Sequence, residues 1–140
     1  MESLIKEAII IGLDNGIVMR PIGYKQGRER EIAKGFGKPY PRAVHYEVCY
    51  WRKCWNIRGV IMEAIGMDDD EYCKKLDVYD IDRIIAALSK IDKTNWTDEG
   101  SSIWTWKEYQ ACHRRYLRNL RRLRQLMEKY NLYVEFYDSY

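Results

Sequence analysis

The strongest constraint in this chain is an apolar seam near its end. Tyr109, Cys112, Tyr116, Leu120, Leu123, Met127 and Tyr130 recur at alternating spacings of three and four. That spacing predicts one long amphipathic helix over Trp106 to Tyr130. Such a helix buries its seam only against other elements, or across a dimer. Its opposite side carries Arg114, Arg115, Arg118, Arg121, Arg122 and Arg124, and no acid interrupts them. Directly after it Leu132, Val134 and Phe136 alternate with Tyr133, Glu135 and Tyr137, the pattern of a half-buried strand over Leu132 to Tyr137.

At 140 residues and 46% apolar content the chain has enough material for one core, and it reads as a single domain over 1–140. Ile9 to Met19 places β-branched runs on both sides of Asp14-Asn15-Gly16. Asn-Gly in that setting predicts a hairpin; the competing reading is one continuous strand with a bulge at Gly16. Arg20 to Arg42 holds four glycines, three prolines and seven basic residues, and reads as a long basic loop.

Ala43 to Ile65 reads as a helix with two adjoining stripes. One is Tyr50, Cys54, Ile57, Ile61 and Ala64; the other is Val44, Val48, Trp51, Trp55 and Met62, with Glu47 and Arg58 between them. Gly66 is its C-cap. Met67 to Asp77 is an acidic connection that lacks calcium-loop spacing. A further helix is expected over Asp82 to Ile91, with Asp80 as N-cap and Ile81, Ile84, Ile85 and Leu88 on its buried face. Lys93 to Ser102 is polar loop. The fold class that follows is α+β, a small sheet from the N- and C-terminal strands packed against three or four helices.

No run reaches the roughly 18 apolar residues of a membrane-spanning helix. Glu2 and Glu7 spoil a secretory n-region, which points to a cytoplasmic protein. Cys49, Cys54, Cys73 and Cys112 form no Cys-x-x-Cys pair and read as reduced thiols. A zinc site with His45 or His113 lacks ligand spacing, so no metal or cofactor is expected. No nucleophile elbow, phosphate loop or other catalytic constellation is present, and the chain reads as non-enzymatic.

Two segments, Gly12-Leu13-Asp14-Asn15-Gly16-Ile17 and Tyr50-Trp51-Arg52-Lys53-Cys54-Trp55-Asn56-Ile57-Arg58, resemble a family of small, largely uncharacterised bacteriophage and prophage proteins of gut bacteria. Its members carry Tyr-Trp-Arg-Lys on a helix and close with a helix and an aromatic tail. Many follow Arg-Lys with Asn, Ile and His, whereas here Trp55 intervenes and Arg58 stands for the His. The resemblance implies a phage setting in a bacterial cytoplasm. It also implies an accessory or counter-defence role, binding a host protein or a signalling nucleotide.

Two binding surfaces follow from the residues. Trp51, Arg52, Lys53, Trp55 and Arg58, with Asp14 and Asn15 brought near, form an anion-recognising pocket in which the cations hold phosphate or carboxylate and the indoles stack. The competing reading packs both tryptophans in the core. Alternatively Arg114, Arg115, Arg118, Arg121 and Arg122 bind nucleic-acid phosphates or an acidic protein, against their simple pairing with acids of the 68–82 segment. A net charge of only +3 favours that pairing, since a dedicated nucleic-acid binder is normally more basic overall. Tyr, Trp and Arg dominate binding hot spots, and with 12 tyrosines the chain is rich in one of them.

Overall fold

A computed structural model describes residues 14–23, 25–37, 45–52, 54–68, 71–96 and 104–139. The architecture is α+β. The elements are β1 (Asp14–Pro21), α1 (Arg28–Phe36), β2 (Tyr46–Arg52), α2 (Trp55–Ile65), β3 (Cys73–Lys75), α3 (Val78–Ser89), α4 (Trp106–Lys129) and β4 (Leu132–Ser139). The sheet order is β2-β1-β4-β3, with every described pair antiparallel. The strands nearest the two chain ends therefore lie side by side at its centre.

One face of the sheet carries Ile17, Met19, Val134 and Phe136 into a core shared with Ile57 and Ile61 of α2, Ile81, Ile84 and Leu88 of α3, and Leu120 and Leu123 of α4. The other face holds a separate cluster of Val18 and Tyr137, flanked by Cys73 and Tyr133. β4 is thus buried on both faces rather than half-buried: Glu135 and Tyr137, on the second face, are 1% and 3% exposed.

Asp14-Asn15-Gly16 is not a turn. The three residues pair with both β2 and β4, and the continuous-strand reading holds for 14–21; residues 9–13 lie outside the described ones. The expected bulge at Gly16 is absent; the register shift lies opposite Ile17 and Val18, on β2, where Val48 is the extra residue.

The helix expected over 43–65 begins only at Trp55. Residues 46–52 form a strand, so Tyr50-Trp51-Arg52 lies on β2 and not on a helix. Gly66 does cap α2, with φ 68°. The expected loop over 20–42 contains α1, anchored by Arg28, whose buried guanidinium donates to the carbonyls of Ile22 at 3.0 Å and Gly23 at 2.8 Å.

The acidic connection contains β3, and α3 starts earlier than expected. Asp77 is its N-cap, accepting from Asp80 N at 2.8 Å, while the Asp80 carboxylate accepts from Asp77 N at 3.1 Å. Asp80 is the third helical residue of this reciprocal cap. Burial raises its pKa, but the Asp77 amide and Arg83 outweigh that and hold it below the usual carboxylate range. α4 matches its expected span to within one residue, and no described helix is long and apolar enough to cross a membrane.

Candidate functional site

β2 is a sheet edge, and an edge presents unpaired carbonyls. α4 covers them. Asn119 Nδ2 donates to the Val48 carbonyl at 2.9 Å, and the Tyr116 hydroxyl donates to the Tyr50 carbonyl at 2.6 Å. Two side chains one helical turn apart thus dock α4 on the strand.

Toward the start of α4 the two elements part and leave a cavity of about 250 Å³. It is lined by Tyr50, Trp51 and Cys54 from the β2 side, and by Trp104, Tyr109, Cys112, Arg115 and Tyr116 from the α4 side. The walls are mutually braced: Trp51 meets Tyr116 edge-on at 5.3 Å, and Tyr109 stacks on Trp96 at 4.8 Å.

Within this apolar lining two polar atoms are unspent. Trp51 and Tyr109 are each 2% exposed, and neither the indole Nε1 nor the phenol oxygen completes a hydrogen bond of good geometry. The two groups face each other, and that contact opposes, without cancelling, the upward push that burial gives the Tyr109 pKa. Even if the indole N–H were aimed at the phenol oxygen, the phenol O–H would still lack an acceptor. Such groups cost free energy until a partner supplies the missing bond.

Arg115 stands exposed beside the cavity. Among the described residues its guanidinium makes only long contacts, to Tyr116 Oη at 3.4 Å and Cys112 Sγ at 3.8 Å, and its carbon lies 5.1 Å from the Tyr116 ring centre. Most of its five donors are spare. Burial pushes the Cys54 thiol on the wall up to about 12, and that of Cys49, behind it in the core, well above its ordinary value. Among the described residues no three His, Cys, Asp or Glu could hold a metal ion together.

The expected pocket residues scatter. Trp51 lies in the core and on the cavity wall at once. Arg58 is held inside the fold: its Nε donates at 2.8 Å to Asp138, which is 1% exposed and is the cross-strand neighbour of Asn15. Arg58 therefore holds a carboxylate of the chain itself. Lys53 lies outside the described residues, as do the side chains of Asp14, Arg52 and Trp55.

The arginine face divides in the same way. Arg122 donates to the Glu31 carbonyl at 3.2 Å and packs against Gly35, while Arg124 bonds Asp82 and Glu128. Arg114, Arg118 and Arg121 are exposed and form no ion pair among the described residues. Missing from the expected site were Tyr109, Tyr116, Trp104 and Arg115 as partners of Trp51. The one usable signal was that the α4 seam opens with aromatics rather than leucines.

The chain matches no family model, no curated protein and no solved structure.

Next to the cavity, His113 is buried with Nδ1 lacking a partner, between the edges of Trp106 at 5.6 Å and Tyr109 at 5.5 Å. Desolvation lowers its pKa below 6.5. The unfolded chain takes this proton first, so stability should decline as pH falls through 6.5 and go on declining until the folded pKa is passed, by at most about 1.4 kcal/mol per pH unit. Urea titrations of wild type and His113→Gln at pH 7.5 and 5.5 check this. The variant should lose less stability over the interval than wild type, and equal losses would refute it.

Proposed function

We propose that the chain is a binding protein that holds the planar ring of an anionic, nucleotide-like ligand in the Trp51 cavity, with Arg115 on its charged group. The observation that carries this reading is the aromatic cavity with two buried, unspent polar atoms and a guanidinium with spare donors at its side. Ring faces stack on Trp and Tyr; the Tyr109 hydroxyl suits a ring nitrogen or carbonyl; a guanidinium suits phosphate or carboxylate. A cavity of about 250 Å³ is smaller than the ~300–1,000 Å³ of sites for drug-sized ligands, so it suits one ring system and leaves the charged group outside. The accessory or counter-defence setting, in the cytoplasm of a phage-infected bacterium, rests on the sequence resemblance alone.

Thermal unfolding against mono-, di- and cyclic nucleotides and simple aromatic acids tests the proposal. A ligand at one hundred times its Kd stabilises the fold by about 2.7 kcal/mol, a shift of several degrees. Arg115→Ala should leave the unliganded melting temperature nearly unchanged and weaken binding roughly tenfold or more, as expected for loss of a charge-assisted bond. No shift with any ring-bearing anion would reject the reading, and so would equal binding by the variant.

A further inference from the structure

Resting on the cavity reading, we propose that the ligand is single-stranded nucleic acid, with one base in the Trp51 cavity and the adjoining phosphates on Arg115, Arg118, Arg114 and Arg121. The cavity volume suits a ring rather than a whole nucleotide, and Arg115 is the one exposed residue of its lining, so the sugar and phosphate are placed on the Arg115 side. What they meet next is set by helix geometry. Arg118 follows Arg115 by three residues and Arg114 by four, and Arg121 follows Arg118 by three, so these side chains are surface neighbours.

From Arg114 to Arg121 the helix rises about 10 Å at 1.5 Å per residue. That length matches roughly three phosphates of a stacked strand at ~3.4 Å each. The stretch of α4 between Glu108 and Glu128 contains no acid, and Arg114, Arg118 and Arg121 are exposed without ion pairs among the described residues. A guanidinium row leading from an aromatic slot is the pairing of backbone track and stacking platform that single strands require. An intact duplex keeps its bases stacked and paired, so entry of one would first cost unpairing.

Fluorescence anisotropy with a labelled eight-nucleotide DNA strand, its duplex and the matching mononucleotide as competitor provides the test. The strand should bind at least tenfold more tightly than either the mononucleotide or the duplex. With about three phosphates engaged, log K should fall against log salt with a slope near −2, and the exposed double variant Arg118→Ala/Arg121→Ala should flatten that slope by about 1.4. The same double variant should bind the strand no better than the mononucleotide. Cys112→Phe, which fills the cavity, should abolish tight strand binding in a protein of unchanged melting temperature.

If the mononucleotide binds but the strand gains nothing, or the double variant binds the strand like wild type, the strand inference fails and the cavity reading stands. If the strand binds Cys112→Phe as well as wild type and no mononucleotide binds, both fail.

Discussion

Arg58→Met is expected to destabilise the protein by about 3–5 kcal/mol, the usual consequence of removing one partner from a buried ion pair. Arg58 lies near the start of α2, with its side chain 13% exposed, and Nε donates at 2.8 Å to an Asp138 carboxylate whose side chain is 1% exposed. Methionine keeps much of the aliphatic length but leaves the carboxylate facing the core without the guanidinium. At this chain length the loss corresponds to roughly 10–20 °C in Tm. Urea unfolding measures it. Adding Asp138→Leu should recover most of the loss, because replacing both members of a buried pair by apolar groups is often close to neutral. A single-variant loss under about 1 kcal/mol, within the range of an exposed pair, would contradict the assignment of this pair as structural. It would also return Arg58 to the list of candidate ligand-binding residues.

Gly16→Ala is expected to cost about 3 kcal/mol, at the upper end of the usual range for overpacking. A Cβ at this position would lie 2.5 Å from the Cys49 carbonyl oxygen and 2.8 Å from the Tyr137 hydroxyl. The hydroxyl can swing aside. The carbonyl cannot, since it belongs to the strand paired with β1 and moving it opens the ladder. Gly59 supplies the contrast: it lies on the exposed side of α2 with nothing within 4 Å of an added Cβ. Gly59→Ala should therefore stabilise by up to about 1 kcal/mol through helix propensity. Thermal unfolding of the two variants should move in opposite directions, and equal shifts would show that the crowding at Gly16 is relieved at no cost.

Gly16 also shows why the start of the chain invites a hairpin reading. Asn-Gly between β-branched runs states only what the local backbone can do. Here the missing side chain makes room for the cross-strand Tyr137 and for the Cys49 carbonyl, and both come from distant sequence. β2 misleads for a related reason. The bulge puts Val48 and Cys49, consecutive residues, both into buried positions, which erases the period of two that marks a strand. Val48, Trp51 and Trp55 then fit a helical spacing equally well. α1 is hidden because Ile32 and Arg28 are its only buried residues, and it is held by packing of Gly35 against Arg122 and by the bond from Arg122 to its Glu31 carbonyl.

The sequence by itself determined the α+β class, the long α4 helix, the closing strand and the apolar face of α3. Each of these is written as a period within one short segment, and burial of an amphipathic face follows from that period whatever it packs against. It also marked Arg58, a charge set among apolar positions, as needing a partner. Only the tertiary structure decided what those residues do. Arg58 holds an aspartate 80 residues away, and of the arginine face Arg122 and Arg124 are spent on Glu31, Asp82 and Glu128. The cavity joins Tyr50, Trp51 and Cys54 to residues 104–116 through the docking of α4 on the β2 edge. A void is the space left when two elements meet at an angle, and no single segment encodes it.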